Sequence, residues 1–91
     1  MNEPASTTYL VELFAPQHDA ERLRAEMERI QAAVAAPAAS GVAIRYLRSI
    51  LLPDEETAFH LFEAERSSSV ERALQDAGLE VERISTAVAV P

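Results

Sequence analysis

The sequence predicts an α+β fold made of one four-stranded sheet and two helices. Three observations support this prediction: two-residue alternation near both ends of the chain, two segments with helical spacing of apolar residues, and a hairpin signal in the middle. In chain order these signals give strand, helix, strand, strand, helix, strand. That order is typical of the ferredoxin-like βαββαβ plait, an antiparallel sheet with both helices on one face.

The first strand and the first helix are predicted before Pro37. Residues 8–14 alternate, so two sets of side chains point to opposite sides: Tyr9, Val11 and Leu13 against Leu10, Glu12 and Phe14. Asp19 is placed to cap a helix, because apolar residues follow it at intervals of four, three and four: Leu23, Met27, Ile30 and Val34. We expect the charged residues between them, Glu26 included, to face solvent, and Pro37 to end the helix.

The central hairpin extends from Gly41 to Glu65. Residues 42–52 are rich in β-branched and aliphatic types, residues 53–56 supply an acidic turn, and residues 57–64 resume the alternation. Both faces of the first of these strands carry large apolar side chains. One layer of helices covers only one face of a sheet, so we expect a second copy of the chain to cover the other. The result would be a homodimer with sheet against sheet, a dimeric α+β barrel.

The second helix and the last strand are predicted after Arg66. Ser68 and Glu71 have the spacing of a capping box, and Gly78 suits the position that follows a helix. The buried stripe of this helix is expected to comprise Val70, Ala73, Leu74 and Ala77. Residues 83–90 read as the last strand. We therefore expect a disordered N-terminal lead, residues 1–7, followed by a single domain, residues 8–91.

Composition limits the classes of partner. The chain has 15 acidic and 8 basic residues, and a formal charge of −7 repels nucleic-acid phosphates and anionic membranes. No apolar run approaches the roughly 20 residues of a membrane helix, and the first residues lack the order of a signal peptide. There is no cysteine, which excludes disulfides and thiolate metal ligands. We expect a cytoplasmic protein that binds neither nucleic acid nor membrane and uses no cofactor.

Four polar side chains are the candidate ligand-binding residues: Glu12, Tyr46, Arg48 and His60. They share one face of the sheet if the residues under the helices are Val11, Leu13, Phe59 and Leu61. A carboxylate, a phenol, a guanidinium and an imidazole on an otherwise apolar face are typical of a small binding pocket. Arg48 would anchor a small polar or anionic organic molecule, Glu12 would orient Arg48, and the other two would donate hydrogen bonds.

The same residues allow other interpretations. Glu12 and Arg48 can form an ion pair at the sheet or dimer surface, with Tyr46 and His60 as amphipathic filling. A metal-binding protein would use His60, Glu12 and also His18. A cofactor-independent enzyme of the isomerase, cyclase or monooxygenase type would use His60 as general base and Arg48 to stabilise an enolate or carboxylate. A purely structural interaction module is a further alternative.

The chain also resembles a family of small ferredoxin-like domains that includes a nickel-binding protein. The similar segments are residues 9–12, 42–64, 77–79 and 81–84. Family members typically carry an aromatic residue at Tyr46, a serine at Ser49 and the ending aromatic, acid, alanine at residues 62–64. They typically have a histidine at Arg48 and a tyrosine at Ile50, where this chain departs.

That resemblance implies the plait, a homodimer and the binding of nickel or another divalent metal. His60 projects from the neighbouring strand and is able to replace a lost ligand. Arginine does not coordinate cations, so the arginine at position 48 removes the ligand that the family carries there. We therefore predict no tight transition-metal site.

Overall fold

The computed structural model describes residues 6–88 and 90. Its elements, in chain order, are β1 (Thr7–Phe14), α1 (Ala20–Ala39), β2 (Ile44–Leu52), β3 (Thr57–Ala64), α2 (Ser67–Asp76) and β4 (Arg83–Ala87). The sheet has the order β2-β3-β1-β4, and each neighbouring pair is antiparallel. The predicted ferredoxin-like α+β plait is confirmed. The acidic turn between β2 and β3 is a short 3-10 segment, Pro53–Glu55.

Both helices pack on one face of the sheet. The buried residues of the main core come from β1, α1, β3 and α2 together and include Val11, Leu13, Ile30, Phe62, Val70 and Leu74. Val11 and Phe62 are fully buried between the sheet and the helices. We call the other surface of the sheet, which carries no helix in the described part of the chain, the open face.

Helix α1 begins as predicted and ends later than predicted. The Asp19 side chain accepts a hydrogen bond from the Arg22 backbone N–H at 2.8 Å, as an N-cap should. The prediction that Pro37 ends the helix is wrong, since α1 continues to Ala39. Proline removes only its own N–H, and the Ser40 N–H still bonds to a carbonyl of the preceding turn at 3.1 Å. Gly41 follows with a φ of +92°.

Helix α2 keeps its predicted stripe but not its predicted cap. Arg66 is the N-cap residue and makes no side-chain capping bond, so the capping box expected from Ser68 is wrong. The helix starts before Ser68, which places that serine inside the first turn. Its C-terminus is a Schellman motif, with Gly78 at a φ of +75° and the Leu79 N–H bonded to the Leu74 carbonyl at 3.0 Å. The stripe is buried as expected: Val70, Ala73, Leu74 and Ala77.

The two ends of the sheet differ from the prediction. Thr7 belongs to β1 and not to a disordered lead, and residues 1–5 of that lead lie outside the described residues. Strand β4 ends at Ala87, so Val88 and Val90, each 85% exposed, are not part of it. Within residues 6–88 and 90, neither helix has the length and apolarity to span a membrane.

Candidate functional site

The register of the sheet decides which of the predicted site residues lie together. Val11 of β1 is directly opposite His60 of β3, and directly opposed residues project from the same face. Val11 lies under the helices, so His60 lies there too, with 0% exposure. The prediction that Phe59 and Leu61 lie under the helices is wrong. Both faces of β3 carry large apolar side chains, so alternation alone could not choose between them.

A β-bulge in β2 separates Tyr46 from Arg48. Tyr46 is opposite Phe62, whereas Arg48 is opposite Leu61, which leaves one extra residue, Leu47, on β2. The extra residue shifts the alternation of the strand. Tyr46 therefore projects towards the helices and Arg48 projects from the open face. The prediction that all four candidate residues share one face is thus wrong, because the sheet divides them into two pairs.

The open face combines an apolar surface with the first pair, Glu12 and Arg48. Its apolar side chains come from three adjacent strands: Leu10, Phe14, Ile50, Leu52, Phe59 and Leu61. Phe14 is 62% exposed and Ile50 is 44% exposed. In the described structure this surface is open to solvent. The edge strands of the sheet are β2 and β4.

Glu12 and Arg48 do not pair with each other. The Arg83 guanidinium donates to Glu12 Oε1 at 3.1 Å, so the expected partnership of Glu12 with Arg48 is wrong. The two residues are two strands and two residues apart, which separates their Cα atoms by roughly 12 Å at ordinary strand spacing. Arg48 makes no ion pair with any residue of the described chain. Arg45, on the same strand, lies 3.9 Å from Glu63.

The second pair, Tyr46 and His60, belongs to a group of buried and half-buried side chains that we call the polar layer: His18, Glu26, Tyr46, Ser49 and His60. Ser49 Oγ lies 2.5 Å from His60 Nδ1, and the Tyr46 hydroxyl hydrogen-bonds to the same Oγ. On the other side, His18 Nε2 lies 2.5 Å from Glu26 Oε1. The second carboxylate oxygen, Oε2, is 3.7 Å from His60 Nε2, which has no hydrogen-bond partner among the described residues.

Glu26 is the member of this layer whose predicted position, facing solvent, is wrong. The side chain expected in solvent is only 11% exposed. Glu26 comes three residues after Leu23 and four before Ile30, and both of those face the core. This spacing puts it on the buried stripe of α1 and is the signal that identifies it in the sequence.

Burial dominates the electrostatics of the polar layer. It lowers the pKa of the His60 imidazole below 6.5, Glu26 opposes this shift, and the charge of His18 adds to it. Burial also raises the pKa of the Tyr46 hydroxyl, against the opposing effect of its hydrogen bond to Ser49. Serine, imidazole and carboxylate are the groups of a hydrolytic triad, but a His60 ring with no exposed surface is closed to any substrate.

No group of three or more histidine, aspartate or glutamate side chains within residues 6–88 and 90 has the arrangement to hold an ion. Glu12 and His60 lie on opposite faces of the sheet, which separates two of the ligands considered for a metal.

Comparison with known proteins supports the fold. The chain is similar to the crystal structure of SCO4226 from Streptomyces coelicolor A3(2), with a TM-score of 0.77 and 13% identity over 92% of this chain and 99% of that one. It is also similar to a structural-genomics structure of the protein YJCS, with a TM-score of 0.54 and 12% identity over 94% of this chain and 100% of that one. No family model matches the chain, and no curated protein matches it. At these identities the likeness concerns the fold alone and leaves the alternative of nickel binding untested.

Proposed function

We propose that the chain is a homodimeric binding protein that holds a small anionic organic molecule between the open faces of two copies. The observation that carries the proposal is the composition of the open face, an apolar surface with one arginine that has no acidic partner among the described residues. Exposed apolar patches of this continuity mark sites of association or ligand binding in soluble proteins. Arg48 would contact the bound molecule directly. Tyr46 and His60 lie on the other face and would act only by supporting the sheet.

A second copy is the occupant that the open face fits best. The apolar residues of the open face are spread over three adjacent strands, so the same face of a second copy would offer them apolar contacts. In a symmetric dimer each residue of the face is used twice, which doubles the apolar area that leaves water. The charged pairs at its margins, Arg45 with Glu63 and Arg83 with Glu12, are arranged as a polar rim.

Arg48 gives this surface its preference for an anion. Arg48 is directly opposite Leu61, which is directly opposite Leu10, so a bound molecule lying along this row would meet charge at one end and apolar side chains along its length. A guanidinium that leaves water without a partner is unfavourable, and a carboxylate or sulfonate ligand supplies two acceptors in matching geometry. An anion with an apolar body would match both the guanidinium and the apolar side chains of the row.

The dimer is tested first, by analytical ultracentrifugation. The variant Ile50→Lys places a charge on the open face at a side chain that is already 44% exposed in one copy. We expect wild type to sediment as a dimer at micromolar concentration and Ile50→Lys to sediment as a folded monomer. Gln31→Lys, on the exposed side of α1, is the matched control and should remain dimeric. A monomeric wild type would remove the homodimer.

Ligand binding is tested with two probes that differ by one charge. The apolar anion 8-anilinonaphthalene-1-sulfonate and its neutral analogue N-phenyl-1-naphthylamine are titrated by fluorescence into wild type, Arg48→Leu and Arg45→Leu. We expect Arg48→Leu to lose binding of the anion while keeping the neutral probe, and Arg45→Leu to keep both, because Arg45 already faces Glu63. Equal losses in the two arginine variants, or saturable binding of neither probe to wild type, would refute the anion site.

A further inference from the structure

Strand β2 turns Tyr46 and Ser49, which are three residues apart, to the same face of the sheet. Tyr46 is directly opposite Phe62 on β3, and Phe62 is fully buried under the helices. Ser49 is directly opposite His60, which is buried on the same side. Residues three apart in a regular strand point to opposite faces. The extra residue of the bulge, Leu47, is what brings Tyr46 and Ser49 to one face.

The same bulge keeps two arginines of β2 on the open face. Arg48 is directly opposite Leu61, and Arg45 lies three residues earlier, opposite Glu63. Regular alternation of the same residues would send one of the two guanidinium groups under the helices. A buried guanidinium without a partner is costly. The bulge is therefore the arrangement in which both arginines stay exposed to water.

On the helix side, a chain of hydrogen bonds ties the two ends of the bulge together. The Tyr46 hydroxyl hydrogen-bonds to Ser49 Oγ, and that oxygen lies 2.5 Å from His60 Nδ1. A hydroxyl both donates and accepts, so the chain is complete whichever ring nitrogen of His60 carries a hydrogen. The Tyr46 ring also packs against Phe62, with ring centroids 5.3 Å apart. Both ends of the bulge are thus attached to β3.

On the open face, the direction of Arg48 is set by the backbone of the bulge. β2 is an edge strand that pairs with β3 alone, and Leu47 has no directly opposed residue there. Arg48 is exposed and makes no ion pair within residues 6–88 and 90. A β-bulge bends its strand, increases the local twist and redirects a side chain, and bulges are common beside active sites. The direction of the guanidinium therefore depends on whether the bulge keeps its shape.

We propose that the bulge at Leu47, held in shape by the hydrogen bonds of Tyr46, Ser49 and His60, is the positioning device of the anion site and directs Arg48 at the bound molecule. The inference rests on the proposed function, because it concerns the same site. Leu47, Tyr46 and Ser49 are positioning residues in this arrangement, since they act on the anion only through Arg48.

Deleting Leu47 tests the bulge with little disturbance of the core. Tyr46 can remain opposite Phe62 and Arg48 opposite Leu61, because Leu47 takes no part in the pairing of β2 with β3. Arg48 would then lie on the open face of a regular strand. We expect the deletion variant to bind 8-anilinonaphthalene-1-sulfonate about tenfold more weakly than wild type or worse, as one misplaced hydrogen bond to a charged group would cause. The neutral probe N-phenyl-1-naphthylamine should bind as it does to wild type.

Leu47→Ala is the matched control, because it removes the side chain but keeps the extra residue of the bulge. It should bind both probes as wild type does. Anion binding that is as weak in Leu47→Ala as in the deletion variant would overturn the proposal, since the side chain and not the bulge would then be required. Wild-type affinity for the anion in the deletion variant would overturn it as well.

The hydrogen bonds that hold the bulge are tested at their two hydroxyl groups. Ser49→Ala and Tyr46→Phe each break the chain while keeping a side chain of similar shape. We expect each variant to bind the anion about two- to tenfold more weakly, which corresponds to the loss of one hydrogen bond between neutral groups. Ser49→Thr keeps a hydroxyl and should bind like wild type. Unchanged binding of the anion in both Ser49→Ala and Tyr46→Phe would refute the role of the hydrogen bonds.

NMR contacts between the backbones of β2 and β3, recorded without ligand, separate this inference from the proposed function. Wild type should show two residues of β2 opposite Leu61, and the variant that lacks Leu47 should show one. Saturable anion binding that the deletion leaves unchanged overturns the inference and leaves the proposed function intact. Absence of anion binding in wild type overturns the proposed function, and the NMR contacts of Ser49→Ala and Tyr46→Phe then decide whether the hydrogen bonds hold the bulge. If the deletion variant does not fold, these two variants decide the positioning role.

Discussion

Replacing Arg48 by leucine should leave the stability of the protein unchanged or raise it. If Arg48 were the buried partner of Glu12, its loss would leave an unpaired carboxylate at a cost of about 3 kcal/mol or more. Glu12 instead accepts from Arg83 at 3.1 Å, and the side chains of this pair are 33% and 69% exposed. Leucine at position 48 removes a charge beside Leu61 and disrupts no ion pair of the described chain.

The register of the sheet also predicts how strongly Glu12 is coupled to each of two arginines, Arg48 and Arg83. Arg48 and Glu12 are two strands apart. The stability changes of two mutations at that separation usually add to within about 0.5 kcal/mol. Arg83 and Glu12 are in contact but partly exposed, and such pairs contribute about 0.2 to 1 kcal/mol. We therefore expect no measurable coupling in the first pair and a small favourable coupling in the second.

Two double-mutant cycles measure these couplings from urea denaturation. One combines Arg48→Leu with Glu12→Gln, and the other, the matched control, combines Arg83→Leu with Glu12→Gln. All variants are compared at one protein concentration, because the stability of a dimer depends on concentration. A favourable coupling of about 1.5 kcal/mol or more between Arg48 and Glu12 would refute the arrangement of the open face, since only a direct pair produces it.

Three further predictions follow from burial, backbone conformation and ligand chemistry. Phe62→Ala should lower the free energy of unfolding by about 3 to 5 kcal/mol, because Phe62 is fully buried. Phe59→Ala should lower it clearly less at protein concentrations too low for dimers. Equal losses would contradict the assignment of Phe62 to the helix-covered face and of Phe59 to the open face. Gly78→Ala should lower the free energy of unfolding, measured with heat or urea, by about 1 to 2 kcal/mol, because the φ of Gly78 is +75°. No atom lies within 4 Å of the added Cβ, so a much larger loss would mean an unrecognised clash. Calorimetric titration with nickel should give no stoichiometric heat; a one-to-one site that disappears in His60→Gln would show this expectation to be wrong.

Local patterns in the sequence were sufficient to predict the elements and their order. Alternation identified β1 and β3, Asp19 marked the start of α1, and Gly41 and Gly78 occupy the left-handed positions that only glycine adopts easily. These features depend on neighbouring residues, so they are present in the sequence before any tertiary contact forms. The strand order followed because few topologies connect such elements with short, right-handed crossovers.

The candidate site depended on contacts that no local pattern specifies. Tyr46 and Arg48 are two residues apart, and alternation places them on one face, but the bulge at Leu47 puts them on opposite faces. For β3 both faces are apolar, and only its pairing with β1 puts His60 among the helices beside Glu26. The sequence by itself therefore determined which elements form and in what order. Only the tertiary structure decided which side chains meet, because a shift of one residue in a strand exchanges its two faces.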